Sequence, residues 1–169
     1  MHAMSTNMTW QTFSFDSKDT EKLGELLGKH LKGGDVIELI ADLGGGKTTL
    51  ICGLAKGLGS KDIVSSPTFT LSNIYKCKDG LEIHHLDFYR LSEPGVVADQ
   101  LSESLENPKV VTVIEWSQIV KDVLPLDRIT IELSPTPDNA DERQIDFSYP
   151  ESKLMTIKKL ETDWLSLKP

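Results

Sequence analysis

The stretch Val36-Ile37-Glu38-Leu39-Ile40-Ala41-Asp42-Leu43-Gly44-Gly45-Gly46-Lys47-Thr48 decides how the rest of the chain is read. An apolar run of strand length leads into a glycine-rich turn, then Lys-Thr, then a helix-like segment reaching about Leu58. That order is the strand, turn and helix of a phosphate-binding loop. Glycines let successive backbone N–H groups point into one concavity with no Cβ in the way. The following helix adds its free N–H groups and the positive end of its dipole. A lysine at position 47 reaches β- and γ-phosphates, and a Thr48 hydroxyl suits Mg²⁺. The strict pattern begins with Gly, where this chain has Ala41. The plainer alternative is a tight strand-to-helix turn that happens to be glycine-rich. The run Gly-Gly-Gly-Lys-Thr-Thr behind a buried-type strand argues against it.

Outward from the loop, strands and helices alternate, and strands cluster later. Thr9–Phe15 alternates aromatic and polar residues and predicts a strand. Asp16 or Ser17 caps a helix with Leu23, Leu26, Leu27 and Leu31 on one face, ended by Gly33-Gly34. Ile63–Pro67 enters a β-rich stretch over Thr68–Tyr75, Lys78-Asp79-Gly80 marks a hairpin, and Leu81–Leu86 returns as a strand. Ser92–Asn107 is acidic and loosely helical. Lys109–Ile114 has the β-branched run of a strand buried on both faces. A short helix over Ser117–Leu124 and strands over Arg128–Leu133 and Arg143–Tyr149 follow. The Pro-, Asp- and Asn-rich segment Ser134–Glu142 reads as an exposed, mobile turn. Leu154, Ile157, Leu160, Trp164 and Leu167 recur at helical spacing, either packed on the domain or as a stripe for a partner. The expected fold is α/β, a single domain with a mixed β-sheet flanked by helices, of the P-loop NTPase kind. Residues 1–150 would form the ATPase domain and 151–169 a helical tail packed on it. The loop would then sit at the C-terminal edge of the sheet.

With 169 residues, the chain can bury one real core. Nothing in it approaches the apolar length of a membrane span or the layout of a signal peptide. Met1, Met4 and Met8 offer three nearby starts. The two cysteines, Cys52 and Cys77, lack metal-site spacing, and a reducing cytoplasm is the simplest compartment. Net charge is −8 and the arginines are only Arg90, Arg128 and Arg143, which disfavours direct tight binding of nucleic acid. A protein partner with a basic face suits this charge better.

Other candidates lie at predicted strand ends. Glu115 closes the run Val110–Ile114, where an acid holds Mg²⁺ directly or through water, orients an attacking water, or merely marks where a strand meets solvent. Asp87, in His84-His85-Leu86-Asp87-Phe88-Tyr89-Arg90, is a second Mg²⁺ or water contact, an acceptor for a hydroxyl or Arg90, or a solvated turn residue. His84 and His85 are adjacent, so on a strand they point to opposite faces and make a poor metal pair. Ser65-Ser66-Pro67-Thr68-Phe69-Thr70 is a hydroxyl-rich segment whose threonine can close over Mg²⁺ and the γ-phosphate as switch loops do, or an ordinary Ser-Pro turn. Trp116 is a core residue or a neighbour of the site.

Four motifs occur in order: Ala41–Thr49, Ser66–Leu71, His85–Leu91 and Ile114-Glu115-Trp116. Together they resemble the bacterial tRNA threonylcarbamoyladenosine biosynthesis ATPase family TsaE, formerly YjeE, over roughly Phe15–Tyr149. The resemblance implies a small, cytoplasmic P-loop ATPase, monomeric or weakly oligomeric alone, that binds ATP with Mg²⁺ and holds ADP after turnover. It implies work with the proteins TsaB and TsaD, and with tRNA only through that complex. The product would be threonylcarbamoylated adenosine 3′ of the anticodon in tRNAs reading codons that begin with A. By the same resemblance, Asp42, Gly44, Gly45, Gly46, Lys47, Thr48 and Thr49 cradle phosphates, and Thr48 and Glu115 hold Mg²⁺. Thr68 and Asp87 match switch-like positions, and Trp116 matches a tryptophan near the site. Arg143 would contact nucleotide, and Ser17 or Thr20 would approach adenine. The family usually has Gly at the place of Ala41, Ala at the place of Gly45, and a Gly before the arginine where this chain has Glu142.

Two other readings stand beside this one. A small-molecule kinase on the same fold would bring several lid arginines to the transferred phosphate, and three scattered arginines serve that poorly. A nucleotide-gated binding module would need no useful turnover. A GTPase would read guanine with an Asn-Lys-x-Asp run, which this sequence lacks.

Overall fold

The computed structural model describes residues 6–42, 44–67, 71–92 and 95–168. Seven strands form one mixed sheet: β1 (Met8–Ser14), β2 (Val36–Ile40), β3 (Ser72–Lys76), β4 (Glu82–Asp87), β5 (Val110–Glu115), β6 (Ile129–Thr136) and β7 (Asn139–Tyr149). Their spatial order is β1-β7-β6-β2-β5-β4-β3. The inner four, β6, β2, β5 and β4, pair in parallel, and β7, β1 and β3 are added antiparallel. Among the described residues, four α-helices cover the sheet: α1 (Ser17–His30), α2 (Lys47–Gly57), α3 (Gly95–Glu106) and α4 (Leu154–Ser166).

Period-two alternation sorts the side chains onto two faces. Ile37 and Leu39 of β2, Val111 and Val113 of β5, and Ile129, Ile131 and Leu133 of β6 share one core with the leucines of α1 and α2 and with Ile157, Leu160 and Trp164 of α4. Val36, Leu86 and Ile114 face the other way, against Val97 and Leu101 of α3 and Val120 of a 3₁₀ segment, Ser117–Val123. The α1 leucine stripe is buried as its spacing requires, and Asp16 caps the helix, its side chain accepting from the Asp19 amide. Backbones of α1 and α2 nearly touch. A Cβ at Gly53 would lie 2.0 Å from the Glu21 carbonyl oxygen, and one at Gly24 would lie 2.3 Å from that of Leu50. This contact fixes α2, and with it the loop it starts from.

One local expectation is corrected and two are refined. Ser134–Glu142 is no mobile turn: β6 runs to Thr136 and β7 starts at Asn139, leaving Pro137-Asp138 as the connection, with a bulge at Pro135/Thr136. This end of the hairpin is mostly exposed, so no apolar alternation marks it in the sequence. The expected short helix is a 3₁₀ segment over Ser117–Val123. Of the β-rich stretch, Ser72–Lys76 forms β3, and residues 68–70 lie outside the described ones.

The tail packs mainly through α4 against α1. Trp164 is buried and its indole Nε1–H donates to the Thr12 hydroxyl at 2.8 Å. His30 of α1 meets Asp163 at 2.7 Å, and Lys153 makes a buried ion pair with Asp35 at 2.7 Å. Leu167, expected in the apolar stripe, is half-exposed beyond the helix end. Trp164→Ala removes a large buried side chain and strands the Thr12 hydroxyl. It is expected to cost about 3–5 kcal/mol, measured by urea unfolding, against a typical total of about 5–15 kcal/mol.

Candidate functional site

Pairing in the parallel sheet brings three strand ends together. Leu39 of β2 lies opposite Glu115 of β5, and Glu115 lies opposite Asp87 of β4. By alternation, Asp87 and Glu115 face the side that α2 covers, beside the loop that leaves β2. They meet Gly44, Gly45, Gly46, Lys47, Thr48, Thr49, Ser66, Tyr89 and Trp116 around a cavity of about 360 Å³.

The loop's shape follows from its residues. Gly44 and Gly46 have φ of +75° and +97°, conformations that side chains resist. Gly46 is the N-cap of α2, so the helix has no side-chain cap, and its first turn carries no acid. Its first amides are left without a side-chain acceptor, with the positive end of the helix dipole behind them. At Gly45 a Cβ would lie 2.7 Å from the Ala41 Cβ and 2.8 Å from the Asp42 carbonyl oxygen. A methyl at position 45 would meet both the Ala41 methyl and the Asp42 carbonyl, so the loop in this shape calls for glycine at 45 beside alanine at 41.

Lys47 is nearly buried, and its ammonium donates to the carbonyls of Ala41 at 2.8 Å and Asp42 at 3.3 Å. The same ammonium lies 5.0 Å over the Trp116 ring, which meets the Tyr89 ring at a tilt of 50° with centroids 4.8 Å apart. Trp116 has φ +55°, a left-handed conformation unusual for a bulky residue. Asp87 is buried and accepts from the Tyr89 amide at 3.0 Å. Burial first, and the Glu115 charge with it, push the Asp87 carboxyl above its usual range, against the opposing pull of the Tyr89 amide, His85 and Lys47.

A second cavity of about 390 Å³ adjoins the first through Gly44, Gly46 and Thr49 and is lined by Asp16, Ser17, Thr20, Asp141 and Arg143. The sequence-predicted Ser17, Thr20 and Arg143 therefore stand together on the far side of the loop. The Thr20 hydroxyl is engaged by Ser14 at 2.7 Å and by the Asp16 carbonyl. Arg143 donates to the Gly45 carbonyl at 3.2 Å, so its guanidinium braces the loop. Asp42 stands apart and lines a third cavity with Glu38, Glu132 and Lys121. Thr68 lies outside the described residues.

Sequence reasoning missed the partner of Glu115. His85 Nε2 lies 2.8 Å from Glu115 Oε1, both side chains buried, while His84 turns to the opposite face and meets Ser104 of α3 at 2.7 Å. The available signal was the spacing His85-x-Asp87, which puts both side chains on one face. Tyr89 and Asp16 were also missed. Glu38, on the opposite face of β2, is held by Ser117, Arg128 and Thr130. Burial alone would push its carboxyl up, and these three partners together bring it below the usual range.

The profile of the family described as threonylcarbamoyl adenosine biosynthesis protein TsaE matches residues 14–145. The chain belongs to the TsaE family. It is 35% identical over 142 residues to the tRNA threonylcarbamoyladenosine biosynthesis protein TsaE of Bacillus subtilis, covering 83% of this chain and 85% of that protein. The namesake protein of a Nostoc species is 42% identical over 118 residues, 68% of this chain and 72% of its own length. Among solved structures, Bacillus subtilis YdiB superposes with a TM-score of 0.75 at 29% identity, covering 94% of this chain and 97% of that one. The α/β fold is thus shared with YdiB over nearly its full length.

Two outcomes follow from this TsaE-family geometry. Gly45→Ala is expected to destabilise the fold by about 1–3 kcal/mol through overpacking, and adding Ala41→Gly should recover part of that loss in thermal unfolding. Asp87→Asn is expected to raise the melting midpoint at pH 7. The raised carboxyl of Asp87 means that the folded state holds the proton more tightly, so its ionisation costs stability as pH climbs above the ordinary aspartate value of 3.8. The gain from Asp87→Asn should therefore shrink as pH falls towards that value.

Proposed function

We propose that this TsaE-family chain binds ATP with Mg²⁺ at the loop, hydrolyses it slowly, and supports threonylcarbamoyladenosine formation on tRNA in the bacterial cytoplasm with TsaB and TsaD. The single observation that carries the reading is the convergence of uncapped α2 amides, Lys47 and the carboxylates of Glu115 and Asp87 on one cavity. The donor set fits a magnesium polyphosphate: backbone amides and an ammonium for the anionic oxygens, a hydroxyl and carboxylates for a hard cation. Magnesium would be held by Thr48 and Glu115, where it neutralises charge gathering on the phosphate oxygens.

The chain's own groups divide the remaining work. Lys47 exchanges two carbonyl partners for phosphate oxygens, which are stronger acceptors because they are charged. Trp116 and Tyr89 wall the cavity and limit water. Asp87, raised by burial, is suited to hold a water proton or a magnesium-bound water. Thr68 is the switch-like hydroxyl of this reading. Ser17, Thr20 and Arg143 border the space available to the base and sugar.

A kinase lid finds little support. Arg128 is committed to Glu38 and the Pro125 carbonyl, and Arg143 to loop carbonyls. Among the described residues no helix is long and apolar enough to cross a membrane. Direct RNA binding is disfavoured by the net charge of −8, consistent with action through protein partners.

Lys47→Ala is expected to keep the fold, by circular dichroism, while ATP affinity drops about 10–100-fold, the loss of one charge-assisted hydrogen bond. In a reconstitution with TsaB, TsaD and tRNA, repeated turnover should require hydrolysable ATP. Full multiple turnover on a non-hydrolysable analogue would instead establish a nucleotide-gated binding module, and absence of any ATP affinity with Mg²⁺ would overturn the proposal.

A further inference from the structure

His85 has no part in phosphate binding, yet it is fully buried and bonded to the carboxylate most exposed to the proposed chemistry. A carboxylate only accepts, so the Nε2 that lies 2.8 Å from Glu115 Oε1 carries a hydrogen. The other ring nitrogen faces the Tyr75 hydroxyl at 3.4 Å. Tyr75 shares its single hydroxyl hydrogen between two acceptors, this nitrogen and the Ser65 carbonyl at 2.8 Å, and its oxygen accepts from the Ser65 amide at 3.2 Å. Asn73 adds a donation to the same Ser65 carbonyl at 3.1 Å. Ser65 precedes Ser66, which lines the loop cavity, and stands three positions ahead of Thr68.

Sheet register builds this chain of contacts. Glu115 lies opposite Asp87, so His85 sits one same-face step down β4 and reaches Glu115 diagonally. On the other edge Asn73 lies opposite His85 and Tyr75 opposite Ile83, so Tyr75 reaches His85 by a second diagonal. Three strands, β5, β4 and β3, thus carry one polar path from the loop cavity to the backbone of the 63–67 segment. A histidine serving only as core filler would need a partner for each nitrogen and nothing more. Here one partner is the strand-tip acid, and the other is the tyrosine that clamps both backbone groups of a single residue.

We infer that His85 is a positioning residue: it holds the Glu115 carboxylate in place and, through Tyr75, ties it to Ser65 at the root of the segment leading to Thr68. The inference rests on the proposed reading of the cavity as an ATP site. It adds a mechanical link between the group proposed to hold magnesium and the 63–67 backbone, whose Ser66 lines the same cavity. A ring that locks a metal-binding carboxylate commonly matters about 10–100-fold to activity or metal affinity although it touches neither metal nor substrate.

The test uses the full chain with His85→Leu, His85→Gln and Tyr75→Phe, each checked by thermal unfolding. The first readout is amide hydrogen exchange of residues 63–67 with no nucleotide added. The second is ADP affinity in EDTA against ADP affinity in magnesium, and the third is kcat for ATP hydrolysis. The link predicts faster exchange at 63–67 in both His85→Leu and Tyr75→Phe. For His85→Leu it predicts unchanged ADP affinity in EDTA, loss of the extra affinity conferred by magnesium, and kcat lowered about 10–100-fold. His85→Gln, which restores an N–H donor towards Glu115, should recover most of the magnesium effect. Wild-type exchange in both His85→Leu and Tyr75→Phe, or an undiminished magnesium effect in His85→Leu, overturns the inference. If the wild-type protein binds no nucleotide, the ATP reading fails instead, and the exchange comparison still decides whether His85 and Tyr75 hold Ser65. Tyr75→Phe removes one oxygen, so the exchange test survives if His85→Leu does not fold.

Discussion

The contact of α1 with α2, backbone against backbone at Gly24 and Gly53, is the constraint on which the rest depends. The loop at Gly44–Gly46 has few anchors of its own. Its position is set by where β2 ends and where α2 begins. The strand is locked between β5 and β6, and the helix is locked by α1 at a separation that leaves no room for a methyl group. Interiors packed this closely transmit displacement instead of absorbing it. A loop held by such neighbours can keep two glycines at positive φ and a helix start without a side-chain cap. Both are local weaknesses that would be selected against in a plain turn.

Burial of charge follows the same division between scaffold and site. Glu38, Asp35 and Lys153 are buried, but each is matched: Glu38 by a guanidinium and two hydroxyls, Asp35 and Lys153 by one another. Among the described residues no buried side-chain nitrogen or oxygen is left without a partner. Asp87 differs in kind. It has partners, yet burial and the neighbouring Glu115 charge still disfavour its ionised form. Scaffold carboxylates are brought to rest by their partners, whereas this one remains poised. That unfavourable burial beside the cavity is what the proposed role of Asp87 rests on.

The sequence made the parallel centre of the sheet legible because its strands carry the pattern of their own burial. Val110–Glu115 is buried at every position and reads as one uninterrupted β-branched run ending in an acid. The loop was legible because glycine has few other reasons to occur three times before Lys-Thr. What stayed hidden depends on pairing. Nothing in Ser134–Glu142 reports that its polar residues continue a hairpin, since the hydrogen bonds that hold it are between backbones. The spacing His85-x-Asp87 puts those two side chains on one face, but nothing in His84-His85 says what lies against either face. That is settled only when β4 takes its register against β5, which sends His84 to Ser104 and His85 to Glu115. The contact of the half-buried Arg143 with Gly45, across 98 residues of chain, was equally beyond local reading.

Trp116 shows how the two faces of the sheet are joined at the site. Glu115 ends β5 with its side chain on the α2 face, whereas Ser117 bonds Glu38 on the α3 face at 2.5 Å. The chain must leave the strand and swing under the sheet's edge within one residue, and that residue takes φ +55° and ψ +49°. Left-handed backbone costs a residue with a Cβ roughly 1–2 kcal/mol. The cost is offset from both sides, by the Ser117–Glu38 bond below and by the ring contact with Tyr89 above. The same bend brings the indole over the Lys47 ammonium. Whatever moves Lys47 therefore moves against Trp116, and Trp116 cannot yield without loosening either the strand tip that carries Glu115 or the 3₁₀ segment that packs on α3. The loop lysine and the opposite face of the sheet thus share Trp116 as a neighbour.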